Sequence, residues 1–229
     1  MDFSQIESKI KIKFKDKELL NNVFIHKSYI NEHRNEGIED NERLEFLGDA
    51  VLELVSTEFL FKQFPEKDEG ELTSWRAALV RGLHLADIAK FLDLGRYLYL
   101  SHGEEKSGGR EKGYILANTV EALIGAIYLD QGFETAKKFI GKFILVDLEE
   151  IVKKGLHKDA KSLLQEKAQE KEGTTPEYNL IEESGPDHEK NFIMEAVVDG
   201  RVVGKGQGKS KQNAEQEAAE EALRRLGWG

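Results

Sequence analysis

The hydrophobic period of this chain changes once, near residue 155, and a chain with two periods has to build two different cores. Before that point apolar residues recur at three- and four-residue spacing. The runs are LLNNVFIHKSYI, RLEFLGDAVLELVSTEFLFKQF, LTSWRAALVRGLHLADIAKFL, YILANTVEALIGAIYLD and FETAKKFIGKFIL, each expected to be a helix. The only proline among them, Pro65, ends the second run. Two polar loops interrupt the pattern, HRNEGIEDN (33–41) and SHGEEKSGGREKG (101–113). After EEIVKKGLHK one more helix is expected, DAKSLLQEKAQEK, and then the period becomes two. YNLIEE, NFIMEAVV and RVVGKGQG read as strands, with a tight turn at Asp199-Gly200, and SKQNAEQEAAEEALRRLG closes as a helix with Ala214, Ala218, Ala222 and Leu226 on one face. The expected fold class is therefore an all-α domain over 1–150, a linker over 151–157, and a small α+β domain of order α-β-β-β-α over 158–229.

Composition narrows the function classes. No apolar stretch approaches the ~20 residues of a membrane span, so no membrane partner is expected. The first residues, MDFSQIESKIKIKF, lack the layout of a signal peptide. Cysteine is absent, which removes disulfides and thiolate metal sites and suits a cytoplasmic location. A metal would have to sit on carboxylate, amide or imidazole groups, which favours hard cations such as Mg²⁺ or Mn²⁺. The net charge is −10, with acids exceeding bases on both sides of residue 155. A polyanionic partner would then need local basic patches, or cations that invert an acidic site.

One segment supplies such a site. In NERLEFLGDAVLEL (41–54), Glu42, Glu45, Asp49 and Glu53 share the run with a single cation, Arg43. At about 100° per residue the four acids fall within an arc of roughly 80°, while Leu44, Leu47, Val51, Leu52 and Leu54 fill much of the rest. A solvated face and a stripe facing a cation are both compatible with this. Against the first, solvated faces usually mix signs, because like charges at i,i+4 repel. The run YILANTVEALIGAIYLD (114–130) is complementary: Asn118 and Glu121 lie three apart on one face, and Gly125 follows on that face and leaves space. A lone Glu in an apolar helix is costly unless paired with a cation. Phe46 is the large apolar residue nearest the stripe and borders its exposed edge.

These segments resemble the bacterial ribonuclease III family. NERLEFLGDA matches its signature segment nearly letter for letter, LANTVEALIGAIYLD its second acidic segment, and HKSYINEH, DEGELTSWRAALV and GEEKSGGREKGYILA follow in order. DAKSLLQEKAQ, PEYNLIEESGPDHEKNF and GKGQGKSKQNAEQEAA are similar to a double-stranded-RNA-binding domain. The resemblance implies an all-α endonuclease domain that cleaves double-stranded RNA with Mg²⁺, Mn²⁺ substituting, to 5′-phosphate and 3′-hydroxyl ends with short 3′ overhangs, in the processing of rRNA and mRNA precursors. It implies a homodimer with Phe46 packed into the partner. It places Glu45, Asp49, Asn118 and Glu121 on the metal ligands, Asp49 and Glu121 on the residues most essential to catalysis, and Glu42 on an accessory acid. In the tail it places Gln165, Gln169 and His188 on minor-groove contacts.

Lys209 and Lys211 flank Ser210 at the start of the last helix, where an N-cap, the helix dipole and two ammoniums favour phosphate. GKGQGKS is no P-loop, because Val203 stands where the first glycine is required. One position departs from the family. Asn118 stands where Asp is usual, so the site loses one negative charge. That keeps a second reading open, a duplex-RNA-binding protein with a weakened or silenced nuclease.

Overall fold

The computed structural model describes residues 2–33, 38–153, 160–186 and 190–228. It divides into two compact units, Met1–His157 and Lys158–Gly229. No helix among the described residues is long and apolar enough to cross a membrane.

The first unit contains α1 (Ser4–Ile10), α2 (Lys17–Asn22), α3 (Lys27–Glu32), α4 (Glu42–Gln63), α5 (Glu69–Val80), α6 (Gly82–Leu92), α7 (His102–Lys106), α8 (Gly113–Gln131), α9 (Phe133–Phe143) and α10 (Leu148–Lys153). The run YILANTVEALIGAIYLD becomes the central helix α8, with every residue from Ala122 to Ile127 buried. Leu52, Val55 and Leu60 of α4, Leu79 of α5, Leu85, Ala89 and Leu92 of α6 and Phe139 of α9 belong to the same core. An aromatic group of Phe3, Phe24 and Tyr97 belongs to that core too.

Two runs expected as single helices are each divided. LLNNVFIHKSYI breaks between Asn22 and Lys27, where Ile25 forms a parallel bridge to Tyr99. LTSWRAALVRGLHLADIAKFL breaks at Arg81, whose backbone is extended at φ −62°, ψ 143°. The apolar spacing continues across both breaks because both halves face one core, so periodicity alone does not register them. The loop 101–113 also carries structure: the Ser101 Oγ accepts from the Glu104 N–H and caps α7, and Gly109–Glu111 form a 3₁₀ turn.

The second unit runs α11 (Ala160–Glu172), β1 (Glu177–Ser184), β2 (Asn191–Val198), β3 (Arg201–Gly208) and α12 (Lys211–Leu226). Its antiparallel sheet has the order β1-β2-β3. Asp199 (φ 49°) and Gly200 (φ 71°) make the left-handed turn between β2 and β3. The glycines of GKGQG have a packing reason. A Cβ on Gly204 would stand 2.2 Å from the Ala218 carbonyl oxygen, and one on Gly206 would stand 2.2 Å from the Ala218 nitrogen. Strand β3 thus lies directly on the alanine face of α12, where Ala214, Ala218, Ala219 and Ala222 are buried. The same helix covers part of β3's backbone: the Lys205 and Gln207 N–H groups donate to Glu221 (2.6 Å) and Glu217 (2.5 Å). Satisfying those donors blunts the edge strand against pairing with another chain.

Candidate active site

Helices α4 and α8 cross in backbone contact. A Cβ on Gly48 would lie 1.7 Å from the Glu121 carbonyl oxygen, and one on Gly125 would lie 2.2 Å from the Leu44 carbonyl oxygen. The space expected above Gly125 is therefore filled by the backbone of the acidic helix. Glu45 and Asp49 flank Gly48 on one helix, and Asn118 and Glu121 lie within two turns of Gly125 on the other, so this crossing sets the two pairs near enough for Asn118 to act on Glu45 and for Asp49 and Glu45 to act on Glu121.

The start of α4 is fixed from below. Asn41 is buried, its N–H donates to the Ile25 carbonyl (2.9 Å), and its Nδ2 donates to the Val23 carbonyl (2.9 Å). Segment 24–26 is in turn held by the His26 N–H to Tyr99 O (3.2 Å) and the Tyr99 N–H to Phe24 O (2.8 Å). His26 is structural: its Nδ1 meets the Ser28 Oγ at 2.8 Å and caps α3, and burial lowers its pKa.

The stripe is not uniform. At one end Lys27 pairs with Glu42 at 2.9 Å. At the other, Arg76 Nε pairs with Glu53 at 2.9 Å and its Nη1 donates to the Thr57 hydroxyl at 3.0 Å. Glu53 is thus an ion-pair partner of α5. Between these ends, Glu45, Asp49 and Glu121 have no salt bridge among the described residues.

Electrostatics mark the middle of the site. The Glu121 carboxyl is pushed up to about 7, first by burial and then by the charges of Asp49 and Glu45. Glu45 is also raised, mainly by burial, with Glu42 and Asp49 adding to the rise. Asn118, as a donor toward Glu45, and Lys27 both oppose it. No three carboxylate or imidazole groups among the described residues converge closely enough to share one ion. The donors are nevertheless the right kind for a hard divalent cation: three carboxylates and one amide, two of the carboxylates held against burial with no ion-pair partner among the described residues.

Phe46 lies beside these acids on α4 with 79% of its surface exposed. In the tail, Gln165 and Gln169 are exposed one turn apart on α11, and Gln165 lines a polar groove with Lys161, Ser162, Gln212 and Asn213. Lys209 and Lys211 are exposed, and the Ser210 Oγ accepts from the Asn213 N–H at 3.2 Å as the cap of α12. His188 lies outside the described residues. The basic residues of KSGGREK are partly engaged: Arg110 binds Glu105 and the Gly95 carbonyl, and Lys112 binds Glu104 and Ser107.

Sequence reasoning missed Lys27, Asn41 and Gly48. Asn41 and Gly48 stand inside the acidic run itself, but the partners that define them are 16 to 77 positions away.

Residues 16–148 match the model for "Ribonuclease-III-like" proteins, and residues 160–226 match that for the "Double-stranded RNA binding motif". The chain is 46% identical over 200 residues to Ribonuclease 3 of Chloroflexus aurantiacus, covering 86% of this chain and 81% of that one. It is 45% identical over 204 residues to Ribonuclease 3 of Geobacillus thermodenitrificans, covering 89% and 82%. Among solved structures, the nuclease domain of ribonuclease III from Campylobacter jejuni superposes with a TM-score of 0.58 at 45% identity, covering 62% of this chain and 96% of that one. The chain belongs to the ribonuclease III family.

Proposed function

We propose that Glu45, Asp49, Asn118 and Glu121 are the working residues of this double-strand-specific endoribonuclease, and that they hold Mg²⁺, with Mn²⁺ as a substitute. The observation that carries the assignment is the contrast along the stripe. Among the described residues, Glu42 and Glu53 have cationic partners, while Glu45, Asp49 and Glu121 do not, and the carboxyls of Glu45 and Glu121 are raised, first by burial and then by neighbouring charges. Carboxylates kept in that condition are suited to a divalent ion brought from solution.

A bound divalent cation supplies a water nucleophile at neutral pH and neutralises charge on the phosphate oxygens. The chain's own part is positional. The Gly48–Gly125 crossing sets the spacing of the two ligand pairs. Asn118 steadies the ionised form of Glu45. Glu121, pushed up to about 7 by burial and by Asp49 and Glu45, would be a ligand in its ionised form, so cation binding there would favour loss of its proton. Asp49 and Glu121 are the two whose loss is expected to stop cleavage. Glu42, tied to Lys27, is an accessory acid.

The tail unit binds double-stranded RNA. For its contacts we assign Gln165, Gln169 and His188 to the minor grooves, and Lys209, Ser210 and Lys211 to phosphates. Duplex RNA is read by shape, 2′-hydroxyls and phosphates across its shallow minor groove, which suits exposed amides on α11 and lysines at a helix start. The domain limits are proposed as 1–150 and 158–229 with a linker over 151–157. The exposed Phe46 supports a homodimer through α4, and the cysteine-free sequence suits the cytoplasm. The processing of rRNA and mRNA precursors is the role proposed for such an activity. A protein that binds duplex RNA without cutting it is not favoured, since the relatives matched over most of both chains are each a Ribonuclease 3.

The test is incubation with a long RNA duplex and with its separate strands, in Mg²⁺ or EDTA. Short fragments with 5′-phosphates from the duplex alone, and only with Mg²⁺, are expected. Cleavage of the single strands, or of the duplex in EDTA, would refute the assignment.

A further inference from the structure

The two cations that bracket the acidic stripe are held differently. Arg76 is tied by two contacts, to Glu53 and Thr57, and its side chain is 35% exposed. Among the described residues Lys27 has one partner, Glu42, and the two side chains are 63% and 53% exposed. An exposed pair of this kind contributes roughly 0–1 kcal/mol to stability. Its ammonium carries three N–H donors, so donors remain beyond the one aimed at Glu42.

The mount of Lys27 is much firmer than its tip. It opens α3, directly after the His26 cap and the Ile25–Tyr99 bridge. The Ser28 Oγ, bound to His26, also accepts from the Ser101 N–H at 3.1 Å. Asn41 ties the same segment to the first turn of α4 through two hydrogen bonds. A long, exposed cationic arm is thus fixed at its base beside Glu42 and one turn from Glu45. Its charge reaches Glu45 as well as Glu42.

A polyanion approaching Glu45, Asp49 and Glu121 meets repulsion on both sides of any ion held there, and a cation at the margin offsets it. Because the Lys27–Glu42 pair is exposed and weak, a phosphate oxygen can replace the Glu42 carboxylate as the partner of the ammonium. We propose that Lys27 is a substrate contact, exchanging Glu42 for a backbone phosphate of the RNA strand next to the reacting linkage. This rests on the duplex-cleaving reading of the site.

The experiment measures Kd for a short RNA duplex against KCl concentration by fluorescence anisotropy. The full chain is used in Mg²⁺ with Glu121→Gln in every protein, so that the duplex survives. Adding Lys27→Gln is expected to weaken binding and to reduce the slope of log Kd against log [KCl] by about 0.7–0.9 for each phosphate that the side chain no longer neutralises. Lys27→Arg keeps the charge and should keep the slope. Glu42→Gln frees the lysine, so the slope should be retained and the affinity unchanged or improved. The inference is overturned if Lys27→Gln leaves both Kd and slope unchanged, or if Glu42→Gln weakens binding as much as Lys27→Gln does, since the pair would then be only structural. Failure of the Glu121→Gln parent itself to bind duplex at low salt would instead refute the functional reading beneath it.

Discussion

Replacing Glu121 by glutamine removes one charge from a place where the fold pays for it, and the effect on stability has a definite sign. Glu121 has an ordinary value of 4.5 and is pushed up to about 7 in the fold by burial, Asp49 and Glu45. A carboxyl raised in this way binds its proton more tightly when folded, so it favours folding at low pH. That advantage is lost as the pH rises from 4.5 through about 7, and above 7 the ionised group is a cost to the apo fold. At 1.36 kcal/mol per pH unit the full shift caps the cost at roughly 3 kcal/mol, and partial solvent access brings it to about 1–2 kcal/mol. In EDTA at pH 8, Glu121→Gln should therefore raise the melting temperature of the nuclease unit by about 2–8 °C. Near pH 5 the difference should shrink toward zero. Adding Mg²⁺ should stabilise the unsubstituted chain and leave the variant nearly unmoved. Calorimetry or a circular-dichroism melt over this pH range reads all three effects. A variant that is less stable at pH 8, or a difference independent of pH, would refute the reasoning.

Other outcomes follow from the packing. Gly48→Ala places a methyl group 1.7 Å from the Glu121 carbonyl oxygen. It should push α4 and α8 apart, cost about 3 kcal/mol or more, and remove cleavage, as a denaturant melt and an RNA assay would show. Gly206→Ala, 2.2 Å from the Ala218 nitrogen, should unfold the tail and abolish duplex binding while the melting transition of the first unit persists. Asn118→Asp restores a carboxylate beside Glu45 and should lower the Mg²⁺ concentration that gives half-maximal cleavage; an unchanged Mg²⁺ dependence would contradict the role given to Asn118. Phe46→Ala should convert a dimer to monomers in light scattering, with little effect on the melting of each unit.

Local order was legible where it follows from spacing. The acids of α4, the Asn118–Glu121 pair, the Asp199-Gly200 turn and the alanine face of α12 are all set by periods within one segment. What was not legible depends on partners far along the chain. The break before Lys27 is a bridge to Tyr99, and the stripe acquires Lys27 and Arg76 from two other helices. Gly125 illustrates the boundary: the sequence shows a missing side chain, and only the fold shows that the Leu44 carbonyl occupies its place. The family resemblance pointed at once to the four residues proposed for the site, because it draws on other chains; spacing by itself left the stripe open between a solvated face and a cation site.

The most direct measurement is Mn²⁺ binding to the full chain without RNA, followed by electron paramagnetic resonance of the free ion. Saturable binding is expected for the unsubstituted chain, with Glu45→Gln, Asp49→Asn and Glu121→Gln each weakening it at least tenfold and Glu53→Gln leaving it unchanged. Equal Mn²⁺ binding by all five proteins would contradict the claim that this helix crossing is the metal site.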